Sequence, residues 1–203
     1  MILNLMNICI FGDSIAWGAH DPERGGWVNH LRNYIEASGL DFKVYNLGVS
    51  ANTTNDILKR FEAEAKARQA FLIVFAIGIN DTLLLKSNNQ TLVSEAEFRN
   101  NLTRLFELAL KITNKIIFIG LTPVDESKTT PVSWDKDKYY TNGGIERFNN
   151  IIKNFCTSNK LKFIEILDLL KPEDLTDGLH PNTDGHKKIF TKIQPEIETF
   201  LSL

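Results

Sequence analysis

Five residues from four separate stretches of this chain have side chains or backbone groups suited to acyl transfer. Ser14 follows Gly12-Asp13 directly after an apolar run, Ile8-Cys9-Ile10-Phe11. A serine hydroxyl becomes a competent nucleophile when a base takes its proton, and that base must be held in one tautomer, usually by a carboxylate. His180 is a candidate base. Asp177, three residues earlier in Asp177-Gly178-Leu179-His180-Pro181, is its candidate partner. In a turn closed by proline, this spacing lets the carboxylate reach one ring nitrogen while the other faces the nucleophile. A tetrahedral intermediate also needs donors aimed at its oxygen. Three are on offer: the backbone N–H of Ser14, the N–H of Gly48, where no side chain blocks approach, and the amide of Asn80 in Gly78-Ile79-Asn80-Asp81.

These residues can meet only if the fold gathers them. Met6–Phe11, apolar almost throughout, reads as a strand buried on both faces, and Phe42–Leu47, Phe71–Ile77, Ile116–Leu121 and Lys162–Ile166 read as four further strands. Between them, apolar residues recur at three- and four-residue steps, predicting helices over Trp27–Ala37, Asp56–Ala67, Glu95–Ile112 and Gly144–Ser158. A last helix is expected from Asn182 or Thr183 to about Phe200, kinked or broken near Gln194-Pro195. Lys86–Thr91 reads as a polar span, and Val124–Asn142 as a long connection without a period. The strand–helix alternation predicts an α/β fold with a parallel sheet and helices on both faces. Ser14, Gly48, Asn80 and Asp177–His180 all follow the C-terminal ends of strands, where open α/β sheets bind ligands.

Composition narrows the function classes. The 203 residues suit one domain, 1–203, with no repeat or second compositional regime. A hydrophobic content of 43% and a net charge of -2 give no general attraction to nucleic acid or anionic membrane. No run approaches the about 18 apolar residues of a membrane span. The apolar start lacks a basic region and a small-residue cleavage site and leads straight into the candidate site, so no signal peptide is expected. Cys9 and Cys156 have no metal-like spacing and read as buried thiols of a cytoplasmic protein.

Taken together, Gly12-Asp13-Ser14-Ile15, Gly48, Gly78-Ile79-Asn80-Asp81 and Asp177-Gly178-Leu179-His180-Pro181 resemble the four sequence blocks of the SGNH, or GDSL-type, hydrolases. Gly26-Trp27-Val28, Phe98, Asn101-Leu102 and Leu121-Thr122-Pro123 fit as well, and Ile15 stands where the family name implies leucine. The resemblance implies a three-layer α/β/α sandwich on a five-stranded, flavodoxin-like parallel sheet. It implies Ser14 as nucleophile, His180 as base, Asp177 as its partner, and Ser14, Gly48 and Asn80 as the oxyanion hole. It also implies hydrolysis of esters or thioesters without a metal or organic cofactor. The polar Val124–Asn142 connection points to a small polar or short-acyl ester, such as an acetylated sugar.

Other readings compete. In a receiver-like or small-ligand-binding flavodoxin-like domain, Asp13, Asp81 and Thr122 would form the site, but the fifth strand ends without the lysine this needs. A metal-dependent hydrolase could draw on Asp13, Asn80, Asp81, His180 and His186, though no pair has a strong metal spacing. The α/β-hydrolase elbow Gly-x-Ser-x-Gly is broken by Ala16. Asp13 and Asp81 are expected to brace loops, His20 and His30 to be exposed, and His186 to be a surface or helix-packing residue. Trp17, Trp134, Tyr139 and Tyr140 are candidates to line a cleft.

Overall fold

The computed structural model describes residues 6–201; the opening five, read above for a leader segment, lie outside them. Five parallel strands form the main sheet: β1 (Met6–Gly12), β2 (Phe42–Gly48), β3 (Ala70–Ala76), β6 (Ile116–Ile119) and β8 (Lys162–Ile164), in the order β2-β1-β3-β6-β8. Register sets Phe11 opposite both Leu47 and Phe75, and Phe75 opposite Phe118. Successive side chains alternate between faces, which divides the core in two.

One core half holds Cys9, Phe11, Ile73, Phe75 and Phe118. It is covered by α3 (Thr54–Ala67), α4 (Glu95–Leu110) and α6 (Asn142–Asn159). The ring of Phe61 of α3 packs at a tilt against Phe11 at 4.8 Å and Phe75 at 5.4 Å. The other half holds Ile8, Ile10, Leu72, Val74 and Ile117 under α2 (Gly26–Ala37) and α7 (Thr183–Leu201). This is the three-layer α/β/α arrangement. The crossover from β1 to β2 runs through α2 on one face, and that from β2 to β3 through α3 on the other. A crevice therefore opens at the C-terminal end of β1, where Gly12-Asp13-Ser14 emerges.

Three differences from expectation have local causes. Helix α7 runs unbroken through Pro195. Ile189, Ile193 and Ile197 stay buried on one stripe, and that packing outweighs the lost backbone bond. Helix α6 starts at Asn142, earlier than expected, because Thr141 Oγ1 accepts the Gly144 N–H. The spans read as polar and aperiodic pair with each other. Strands β4 (Leu84–Leu85), β5 (Gln90–Thr91) and β7 (Lys138–Tyr139) form a small antiparallel sheet, β5-β4-β7. A short helix, α5 (Glu126–Thr129), precedes β7. Two-residue strands are too short to leave a period in the sequence. No helix among the described residues is long and apolar enough to cross a membrane.

Candidate active site

The turn after β1 is built around small residues. A Cβ on Gly12 would lie 2.4 Å from Ala16 Cβ and 2.6 Å from the Ala76 carbonyl oxygen, so a side chain there would push the turn off β3. Asp13 caps a single helical turn, α1 (Ser14–Trp17), its Oδ1 accepting the Ile15 N–H at 2.9 Å. Ser14 is the first residue of that turn. Its Oγ lies 2.8 Å from His180 Nε2.

His180 comes from the far end of the chain, on a turn before α7. Thr176 N–H donates to the His180 carbonyl, and Asp125 N–H to that of Gly178. Within this turn, Asp177 Oδ1 accepts the N–H groups of Leu179 and His180, while Oδ2 lies 2.8 Å from His180 Nδ1. Burial alone would raise the Asp177 carboxyl. The bonds from the His180 ring and backbone, the His180 charge and the Leu179 N–H outweigh it and hold the group far below the usual carboxylate range. An ionised Asp177 can only accept, so Nδ1 carries a proton, and in the neutral ring Nε2 presents its lone pair to the Ser14 hydroxyl.

Asn80 sits in a 3₁₀ turn after β3 with its amide locked in one orientation. Its Oδ1 accepts the Tyr140 hydroxyl at 2.8 Å and its Nδ2 donates to the Asn52 carbonyl at 3.0 Å. One Nδ2 hydrogen is left over. Tyr140 follows β7, so the small sheet fixes this donor. Ser14, Asn80, His180 and Tyr140 line one cleft of about 460 Å³, with Trp134 at its rim. Of the four aromatic candidates, Trp134 and Tyr140 line it and Trp17 and Tyr139 do not.

Gly48 ends β2 as the sequence places it, but its N–H is engaged away from the cleft. Its N–H donates to Asn46 Oδ1 at 2.9 Å, and it does not line the cleft. Its lack of a side chain serves close packing instead, since a Cβ there would fall 2.3 Å from Trp17 N. Three residues on, Ala51 does line the cleft, with φ at 63°. Among the described residues its N–H has no hydrogen-bond partner. The sequence also gives no hint of Arg60. From α3 its guanidinium reaches Asn52 Oδ1 at 2.9 Å, the Leu47 carbonyl at 2.8 Å and the Gly12 carbonyl at 3.3 Å. It thus ties the ends of β1 and β2 to the turn carrying Ala51.

The remaining acids and histidines have other partners. Asp81 is buried and accepts both the N–H and the hydroxyl of Thr54, which in turn accepts from Asn101. Burial pushes Asp13 up to about 6 and Asp81 up to about 7. With Thr122 also buried, the receiver arrangement has no open acidic site. His186 is fully buried, accepting the Trp27 N–H and meeting the Ala19 carbonyl at 2.9 Å, so it ties the first turn of α2 to the loop before it. His30 is half-buried rather than exposed, stacked on Phe190 at 5.6 Å with Nε2 3.9 Å from Asp21. His20 is exposed as expected, yet its Nε2 lies 3.5 Å from Asp177 Oδ2.

The profile of the GDSL-like Lipase/Acylhydrolase family matches residues 10–188. The uncharacterized lipoprotein YqeF of Bacillus subtilis is 30% identical over 125 residues, 59% of this chain, and the match spans 50% of that protein's length. An acetylxylan esterase from Geobacillus stearothermophilus is 24% identical over 167 residues, 79% of this chain and 75% of that one. The crystal structure of a lipase/acylhydrolase from Enterococcus faecalis matches with a TM-score of 0.78 at 26% identity, covering 96% of each chain.

Proposed function

The chain belongs to the GDSL-like lipase/acylhydrolase family, and on that premise we propose that it is a serine esterase working through an acyl-enzyme on Ser14. The observation that carries the reading is the continuous chain of contacts from Ser14 Oγ through His180 to Asp177, 2.8 Å at each step. In the proposed reaction His180 Nε2 takes the Ser14 proton as Oγ attacks the ester carbonyl. The C–O bond to the alcohol then breaks, and the alcohol leaves with that proton. Water repeats the attack, giving its proton to Nε2. The bond from the acyl carbon to Ser14 Oγ then breaks, Oγ takes that proton back, and the acid leaves. Asp177 stays ionised throughout and supports the imidazolium. No step needs a metal or organic cofactor.

The oxyanion donors in this reading are the Ser14 N–H, the free Nδ2 hydrogen of Asn80, and the Ala51 N–H in place of that of Gly48. Asn80→Ala is expected to lower kcat by about 100- to 1,000-fold with KM little changed, as loss of a donor used only in the transition state does. Steady-state kinetics check this. A rise in KM at constant kcat would instead make Asn80 a substrate-binding group.

The substrate class we infer is a small, polar or short-acyl ester such as an acetylated sugar. The cleft offers Ser50 and Lys138 beside the half-exposed Trp134 ring, a flat face of the kind sugars lie against. The similarity to an acetylxylan esterase supports the same direction. A panel of nitrophenyl acetate, butyrate and octanoate, with an acetylated sugar and a thioester, tests it. Acetyl esters should give the highest kcat/KM. A rate rising toward octanoate would overturn the short-acyl assignment and leave the serine mechanism standing. The compartment we infer is the cytoplasm, supported by the free, buried Cys9 and Cys156, whose thiols burial pushes up to about 12.

A further inference from the structure

Beside the proposed triad lies a group the mechanism does not use. Among the described residues, His20, Asp177 and His180 are the one set of three His, Cys, Asp or Glu side chains whose ligand atoms come within 4.8 Å of one another. His20 is held there by its loop. Its φ is 64°, a left-handed conformation that a histidine adopts at a cost. The residues on either side are pinned. The Ala19 carbonyl meets buried His186, and the fully buried Asp21 accepts the Gly26 N–H and the Thr183 hydroxyl. The His20 ring is thereby set 5.2 Å from that of His180, with its Nε2 toward Asp177 and one edge open to solvent.

We propose that His20, Asp177 and His180 form an inhibitory site for Zn²⁺, an inference that rests on the triad reading above. Two imidazoles and one carboxylate, with a fourth position open to water, suit a borderline tetrahedral ion, whereas Mg²⁺ and Ca²⁺ prefer oxygen donors. Coordination silences the base whichever nitrogen is used. If Nε2 binds the ion, it leaves Ser14. If Nδ1 binds, its proton passes through solvent to Nε2, so the neutral ring carries its one proton there. That nitrogen can no longer accept from the Ser14 hydroxyl. His20 thus makes a metal-sensitive site of what would otherwise be a simple Asp–His pair.

Two measurements test this. In the first, the Ser14→Ala protein is titrated with Zn²⁺ by calorimetry near neutral pH, alone and combined with His20→Asn, asparagine being tolerant of the left-handed backbone. One saturable site is expected, weakened by about tenfold or more without His20. In the second, Zn²⁺ should inhibit ester hydrolysis by the unmodified protein, EDTA should restore it, and Mg²⁺ should have no effect. Half-inhibition of His20→Asn should need about the same factor more Zn²⁺. Equal affinity with and without His20, no saturable binding, or a rate raised by Zn²⁺ would each overturn the proposal. The calorimetric arm needs no activity, so absent binding with hydrolysis intact sinks the metal site alone. Binding by a protein with no ester hydrolysis sinks the inhibitory role together with the esterase reading.

Discussion

Replacing Ser14 with alanine is expected to lower kcat for a nitrophenyl ester by about a million-fold, with the chain still folded. That loss corresponds to about 8 kcal/mol of transition-state stabilisation. It is this large because Oγ is the atom that forms the acyl bond in the proposed mechanism, and no other hydroxyl among the described residues meets His180 Nε2. It should cost little stability because Asp13, not Ser14, caps α1. Kinetics and thermal unfolding of the same sample check both halves. A fluorophosphonate should label the parent protein on Ser14 and leave the variant untouched. A Ser14→Ala protein at full rate would end the nucleophile assignment.

His180→Ala should lose about as much, on the order of a million-fold, and combining it with Ser14→Ala should lose almost nothing more. Without the base, the serine keeps its proton; without the serine, the base has nothing to deprotonate. The turn should survive, since Asp177 Oδ1 keeps the Leu179 N–H and the backbone N–H at position 180. The four rates of this cycle give the result. Losses that multiply in the double variant would mean that the two residues act independently, contrary to the 2.8 Å contact between them.

The sequence made the sheet and its working edge legible because its central strands, β1, β3 and β6, are buried on both faces and written as nearly unbroken apolar runs. The Ser14 turn was legible because Gly12-Asp13 combines a close-approach glycine with a helix cap. Asp177 and His180 were legible because a spacing of three within one turn needs no tertiary information. What could not be read depends on backbone conformation or on distant partners. Gly48 is a natural choice for an open N–H, but the nearby Asn46 side chain takes that donor. The left-handed residue that faces the cleft is Ala51, whose type gives no sign of it. His20 lies six residues past Ser14, and only the closing of the fold brings it to Asp177. The pairing of Leu84–Leu85 with Lys138–Tyr139 joins segments over 50 residues apart through strands too short to announce themselves.

The hydrogen bond from Tyr140 to Asn80 Oδ1 bears on how such an enzyme can diversify. Trp134 and Tyr140 belong to one segment, tied to the molecule by β7, so the cleft wall and the fastening of Asn80 are inherited together. In a selection for new substrates, changes that reshape the wall around Trp134 will also shift Tyr140 and loosen the amide. Altered preference and lost turnover should therefore arise in the same variants. The productive route is then a pairwise one, in which a substitution near residue 134 is accepted only on a background that has already secured Asn80 by another bond.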